Sequence, residues 1–482
     1  MTLSTGVAGL DRILGGGLAE GHVYLVRGEP GTGKTTMALH FLAAGRQRGE
    51  RAFYLTLSQT AEELRGIARS YGMSLEGVAV EDANLLTQAG ETQQTVIRTS
   101  ELELARVVTA VRARLAETRP DRVVLDSLLD LNLRSSGELA YRRLVRELID
   151  ICVAEGCTAL FVDSDRQYGG DPQAATLVHG VIALQRSVPG YGIAQRRLEV
   201  TKMRGSGHAE GLHDFVIEDD GLRVFPRLSS DRAARKAPSL RRTSSGLAEL
   251  DELCGGGIDK GTSCMIYGQS GSGKSTLASL LLRATLAGGE AAAAFLFEEH
   301  PATLVQRAEA LGLPLGEAQR EGRLVLHDQR SSEVLPGEFV HRVLDTVDGN
   351  QAGILLIDSV NGFLAAATHK DHAFAQLNVL MNTLRSRSII PVLVVEQAGL
   401  MGGIGTTINL SILADSIIML RQYEWFSHVR RSIAVLKKRS GAHSTEMREL
   451  LLEPGRLSVR PISSEQWKQM SRSQLMTGLD PA

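Results

Sequence analysis

Gly28-Glu29-Pro30-Gly31-Thr32-Gly33-Lys34-Thr35 is a glycine-rich run between an apolar stretch, 22–27, and a stretch of helical spacing that begins at Lys34. It returns 240 positions later as Gly268-Gln269-Ser270-Gly271-Ser272-Gly273-Lys274-Ser275. Gly-x4-Gly-Lys-Thr/Ser between a strand and a helix is the P-loop pattern. Its glycines let backbone N–H groups wrap phosphates, and the helix N-terminus adds positive partial charge. The expected ATP contacts are Gly28, Gly31, Thr32, Gly33, Lys34, Thr35 and Thr36, and in the second run Gly268, Gly271, Ser272, Gly273, Lys274, Ser275 and Thr276. The lysine reaches the terminal phosphates, and the Thr35 or Ser275 hydroxyl ligates Mg²⁺.

The repeat extends outward at the same offset. Thr5-Gly6-Val7-Ala8-Gly9-Leu10-Asp11 matches Ser245-Gly246-Leu247-Ala248-Glu249-Leu250-Asp251, and Gly15-Gly16-Gly17 matches Gly255-Gly256-Gly257. The chain is therefore a duplication. The expected organisation is a first ATP-binding domain over 1–228, a linker over 229–242, a second over 243–461, and a loosely ordered polar tail over 462–482. In the first copy, 22–27, 53–57, 122–126 and 158–162 read as strands. Helical spacing runs after Lys34, over 62–70 and over 139–154. The alternation predicts an α/β fold with a mainly parallel sheet covered on both faces, and ligands in such sheets sit at the carboxyl ends of the strands.

The 482 residues are 43% hydrophobic and 22% charged, with a net charge of −2. That composition is ordinary for a soluble globular protein and lacks the basic excess of a non-specific nucleic-acid binder. The opening residues do not read as a secretory signal, and no apolar run is long enough for a bilayer, so a cytoplasmic location and no membrane partner are expected. Cys152, Cys157, Cys254 and Cys264 form no CxxC pair and read as reduced, buried thiols.

Two apolar strands end in aspartate, Arg122-Val123-Val124-Leu125-Asp126 and Ile354-Leu355-Leu356-Ile357-Asp358. This is the Walker B pattern, with Asp126 and Asp358 placed to hold Mg²⁺. The copies differ at the strand after the P-loop helix. Copy two ends Phe297-Glu298-Glu299, whereas copy one has Leu57-Ser58-Gln59. Carboxylates there can deprotonate or orient a nucleophile beside the γ-phosphate. Glu298 and Glu299 are thus the candidate catalytic pair, with Glu298 also within reach of the metal. Each copy also closes with Lys-x-Arg and a histidine six residues past the lysine: Lys202, Met203, Arg204, Ser206 and His208, then Lys437, Arg439 and His443. Such cations suit fingers offered to a neighbour's phosphates.

Together these residues resemble the KaiC family of circadian-clock ATPases and autokinases, within the RecA superfamily. The resemblance covers about Ser4 to Arg460 and implies two tandem RecA-like P-loop NTPase domains. It implies a homo-hexamer that binds ATP between subunits in two rings, with Mg²⁺. Lys202, Met203, Arg204, Ser206 and His208 of one subunit would touch nucleotide on the next subunit's first P-loop. Lys437, Arg439 and His443 would do the same for the second, and Ser70 matches a position near the first-ring nucleotide. Glu298 matches the family's second-ring general base and Glu299 its partner.

The sequence departs from the family at Ser58 and Gln59, so the first domain is expected to bind ATP mainly for assembly. It departs again at Ser411-Ile412, where the family carries adjacent Ser and Thr acceptors, which leaves Ser411 as a single candidate phosphosite. The expected activity is ATP hydrolysis with second-domain serine autokinase activity. A role in signalling beside a histidine kinase or response regulator is expected, and nucleic acid is not. The alternatives are a nucleotide-assembled scaffold and a DNA-stimulated motor that would use the glycine-rich loop 398–405.

Overall fold

The structure is a computed structural model that describes residues 1–82, 100–164, 172–188, 194–228, 241–329, 335–367, 369–397, 410–464 and 466. The expected linker up to residue 240, the loop 398–405 and the tail from 467 lie outside the described residues. The chain divides into two compact units, Met1–Arg227 and Leu228–Ala482.

In the first unit the described strands are β1 (Thr2–Leu3), β2 (Leu18–Ala19), β3 (Val23–Gly28), β4 (Ala52–Thr56), β5 (Val78–Asp82), β6 (Arg122–Asp126), β7 (Thr158–Ser164), β8 (Gly180–Ser187), β9 (Gln195–Met203), β10 (His213–Glu218) and β11 (Gly221–Phe225). Among these, nine form one sheet in the order β11-β10-β9-β8-β3-β7-β6-β4-β5. Strands β8 to β5 run parallel, and β9 to β11 continue the sheet antiparallel. Apolar layers cover the two faces. One is built on Leu39, Tyr54 and Val124, the other on Leu25, Phe53 and Leu125. Successive residues of one strand thus serve opposite layers, which is why these strands read as unbroken apolar runs. One of them opens on Arg122, which has no exposed surface. Its guanidinium pairs with Glu50, donates to the Ser4 and Phe41 carbonyls at 2.7 Å, and lies over the Phe41 ring. A buried charge is tolerated only with such partners.

The second unit repeats the plan with β12 (Arg242–Thr243), β13 (Ile258–Asp259), β14 (Cys264–Gly268), β15 (Ala291–Leu296), β16 (Leu324–Asp328), β17 (Ala352–Asp358), β18 (Ile390–Glu396), β19 (Ser416–Trp425), β20 (His428–Lys438), β21 (Arg448–Glu453) and β22 (Arg456–Pro461). Its sheet order is β16-β15-β17-β18-β14-β19-β20-β21-β22. Strand β15 contains four consecutive alanines, poor strand formers. It holds because parallel ladders flank it on both edges. Both units are thus RecA-like α/β domains.

The repeated Asp11 and Asp251 are structural. Asp11 accepts from the Thr5 N–H and hydroxyl at 2.7 Å, and Asp251 accepts from the Ser245 N–H at 2.7 Å. Each carboxylate ties the glycine turn after the first short strand to the following helix. All four cysteines are buried and unpaired by disulfides, and burial raises their thiol pKa values, to about 12 for Cys254. The polar stretch expected to be loose begins inside the fold. Gln466 is buried and donates to Glu449 at 3.2 Å.

Candidate nucleotide sites

In both units the P-loop leaves the carboxyl end of the strand at the middle of the sheet and turns into a helix, Lys34–Gln47 or Lys274–Ala287. Gly33 (φ 104°) and Gly273 (φ 99°) hold the left-handed conformation at the helix start, which glycine adopts without the Cβ clash. A Cβ on Gly28 would lie 2.3 Å from the Leu184 carbonyl oxygen, and one on Gly268 2.4 Å from that of Leu420. Lys34 folds back over its loop, donating to the Gly28 and Glu29 carbonyls at 2.7 and 2.9 Å. Lys274 donates to the Gln269 carbonyl at 2.8 Å. Burial pushes the Lys274 pKa down, against the nearby charges of Glu396, Asp358 and Glu298, which favour the ammonium.

The Walker B aspartates stand beside the P-loop hydroxyls. Thr35 Oγ1 donates to Asp126 Oδ2 at 3.0 Å, and Tyr54 donates to the same oxygen at 2.7 Å. The sequence reading missed Tyr54. The second copy has Ala294 at the corresponding position, and there the buried Asp358 Oδ2 has no hydrogen-bond partner. Burial raises the Asp358 pKa to about 6, with Glu298 and Glu299 adding to the rise and Ser275 opposing it. Burial also raises that of Asp126, where Tyr54 and Thr35 oppose it and Asp130 adds to it.

The two carboxylates of the second copy have different surroundings. Glu298 accepts from Ser359 Oγ at 2.6 Å, immediately after the Walker B aspartate. Glu299 is held in an ion pair by Arg307, one helix further on. In the first copy Ser58 is exposed, and the Gln59 main chain is tied to Thr56 Oγ1 at 2.7 and 2.9 Å. Arg431, also unnoticed in the sequence, donates from Nε to the Gly271 carbonyl at 3.1 Å and so lies against the second P-loop.

A model of the ATPase family KaiC matches this chain twice, over residues 3–229 and 243–464. The chain belongs to the KaiC ATPase family. Its curated relatives include circadian clock protein KaiC3 of Synechocystis, 26% identical over 94% of this chain and 90% of the relative. Circadian clock oscillator protein KaiC of Parathermosynechococcus lividus is 25% identical over 95% and 85%. That of Synechococcus elongatus is 25% identical over 93% and 87%. Nucleotide binding and ATP hydrolysis follow from membership of this family.

The Lys-x-Arg residues of this KaiC-family chain sit away from their own P-loops. Strand β9 is antiparallel to β8, with Met203 opposite Gly180, while Gly28 is opposite Leu184. Four residues at about 3.3 Å each separate the levels of Met203 and Gly28 by roughly 13 Å along the strands, and Arg204 lies one residue further out. In the second unit Lys437 lies opposite Ile417, while Gly268 lies opposite Leu420. The lysines are engaged within their own chain. Lys202 Nζ donates to the Ala175, Thr176 and Val178 carbonyls at 2.7–3.0 Å, and Lys437 Nζ to those of Ser411 and Ala414 at 2.9 and 2.7 Å. Arg204 and Arg439 are exposed. Met203 is half-buried and packs against the first-unit core, while Ser206 and the half-buried His208 follow Arg204 at the sheet end. His443 stands beside Gly255 in the second unit. Ser70 caps its own helix end, its Oγ donating to the Ile67 carbonyl at 2.8 Å.

The donor set fits Mg²⁺ held with nucleotide phosphates. A hydroxyl and a carboxylate lie side by side in each copy, and the unpartnered Asp358 Oδ2 is an acceptor for a metal-bound water. Among the described residues no cluster of three or more His, Cys, Asp or Glu could hold a metal by protein ligands alone. Mg²⁺ keeps several waters and binds through one or two carboxylates plus phosphates, so no such cluster is required. Among the described residues no helix is long and apolar enough to cross a membrane.

The raised Asp358 pKa gives a pH prediction. Its folded value near 6 exceeds its unfolded value of 3.8, so between those values the native state binds more protons. Nucleotide-free protein should therefore gain stability as pH falls from 7 to 5, by roughly 1 kcal/mol for this group. Asp358→Asn should remove that slope. Thermal unfolding of both proteins, without nucleotide, across this range checks it, and equal slopes would refute it.

Proposed function

We propose that this KaiC-family chain is a Mg²⁺-dependent ATPase assembling as a ring hexamer, in which the second domain carries most of the turnover. The observation that carries this reading is Glu298, hydrogen-bonded to Ser359 beside Asp358 and facing the P-loop lysine's end of the sheet. Ser275 and Asp358 would hold Mg²⁺, which would supply neutralisation of the charge that develops on the phosphates. Lys274 binds the terminal phosphates, and Glu298 takes the proton of the attacking oxygen. Glu299, held by Arg307, keeps a second negative charge nearby. In the first domain Lys34, Thr35 and Asp126 offer the same cradle, but Ser58 and Gln59 cannot accept a proton. That domain serves assembly and turns ATP over slowly.

Placement of the exposed Arg204 and Arg439 roughly a strand's length from their own P-loops supports action on a neighbour's nucleotide. Ser411 lies in the short 3₁₀ turn Leu410–Leu413, its carbonyl held by Lys437. A phosphoryl group would therefore reach Ser411 from an adjacent subunit. Purified protein with γ-labelled ATP and Mg²⁺ tests this. Protein-bound label that disappears in Ser411→Ala and in Glu298→Gln is expected. Unlabelled protein that still releases phosphate would end the autokinase reading and keep the ATPase. A signalling protein such as a histidine kinase or response regulator is the proposed partner class.

A further inference from the structure

The two copies handle the serine after the Walker B aspartate differently. In the second copy Ser359 Oγ donates to Glu298, which arrives from the end of β15. In the first copy the corresponding strand end offers only Ser58. There Ser127 Oγ donates instead to Asp130 Oδ2 at 2.7 Å. Asp130 lies in the first turn of the helix Leu128–Arg134, which begins directly after Asp126 and Ser127. It is half-buried beside the Walker B aspartate.

The exchange is reciprocal. Counting from the Walker B aspartates, the second-copy residue that corresponds to Asp130 is Gly362. A Cβ on Gly362 would come within 2.5 Å of Phe297 Cβ, so no side chain fits there. Where the strand end supplies glutamate, the helix carries glycine. Where the strand end carries Ser58, the helix supplies aspartate. Each copy thus has one carboxylate on the serine beside its Walker B aspartate, brought from a different element. Ser359 is also the helix cap, its Oγ accepting from the Gly362 N–H at 3.2 Å, whereas Ser127 makes no such cap. The Ser127 hydroxyl is instead committed to Asp130.

We propose that Asp130 is the carboxylate that orients and deprotonates water for ATP hydrolysis in the first domain. The water oxygen forms a bond to the γ-phosphorus, and the bond from that phosphorus to the β–γ bridging oxygen breaks. The electron pair leaves with ADP, and the water proton passes to Asp130, which releases it to solvent. Asp is one methylene shorter than Glu and starts from another element, so its reach to the water is less favourable. First-domain turnover is therefore slow rather than absent. The inference rests on reading Gly28–Thr35 as an ATP site.

The test uses the full chain carrying Glu298→Gln, which silences the second domain and leaves the first domain's rate. Adding Asp130→Asn should lower that residual kcat at least tenfold with KM nearly unchanged. Asp130→Glu should keep a measurable rate, and Ser58→Glu added to Asp130→Asn should restore one by supplying the carboxylate from the strand. Binding of a fluorescent ATP analogue to the Lys274→Ala chain reports the first site separately. No binding there would sink the reading of the site itself. Binding retained with a residual rate unmoved by Asp130→Asn would overturn the role of Asp130 alone. So would a residual rate of zero in Glu298→Gln, or loss of rate in Asp130→Asn that Ser58→Glu leaves uncorrected in a folded, nucleotide-binding protein.

Discussion

Glu298→Gln is expected to lower steady-state phosphate release by about 10²-fold, down to the slow rate of the first domain. Glutamine keeps the size of glutamate and can still meet the Ser359 hydroxyl, so the fold and the ATP affinity should survive. What disappears is a proton acceptor, and positioned general bases contribute about 10²–10⁴-fold. Glu299 is a poor substitute, because Arg307 holds its carboxylate in an ion pair. Removing the Glu298 charge also removes one of the influences that raise the Asp358 pKa, so Mg²⁺ should bind at somewhat lower pH in the variant. Phosphate release and nucleotide affinity, measured in the same preparation, check the prediction. A variant that turns over within threefold of the parent would show that the second domain uses another base.

The second large effect concerns Arg439. Arg439→Ala should lower second-domain hydrolysis by about 10³-fold, the lower range for an arginine finger, without weakening the P-loop of its own chain. The geometry makes a sharper prediction. Arg439 is exposed at the sheet end opposite the P-loop, and its guanidinium lies a long 3.9 Å from the Asp415 carboxylate. On the proposed reading it acts on a nucleotide held by another subunit. Mixing Arg439→Ala chains with Lys274→Ala chains should recover activity that neither has alone. In mixed rings an intact Arg439 on the Lys274→Ala chain faces an intact P-loop on the other. No recovery, in mixtures shown to exchange subunits, would place the arginine's effect within its own chain. Lys437 is expected to behave differently. It is bonded to two carbonyls of its own chain, so Lys437→Ala should lower stability as well as rate.

Much of this molecule was legible without coordinates, for identifiable reasons. The P-loops and Walker B strands are local. Their chemistry needs contiguous residues in a fixed order, and the 240-residue offset displayed that order twice. The strands were readable because parallel strands buried on both faces become continuous apolar runs, as in 123–125 and 354–357. The lost carboxylates at Ser58 and Gln59 were visible by the same offset. Asp130 was not visible as their counterpart. Its helix follows the Walker B strand, and an offset comparison that pairs strand end with strand end never sets Ser58 against a residue 72 positions later. Tyr54 and Arg431 escaped for a related reason. Each reaches its partner, Asp126 or Gly271, across the sheet from a strand whose sequence looks like ordinary core or edge.

The sequence by itself determined the duplicated α/β architecture, the two phosphate cradles and the asymmetry at the strand ends, because all are encoded in short contiguous motifs. Only the tertiary structure decided which carboxylate stands on the serine beside each Walker B aspartate. It also decided which cation of each Lys-x-Arg pair remains exposed and which end of the sheet carries it. Those properties depend on strand order and on side chains meeting from different elements, and distance in space is not written in distance along the chain.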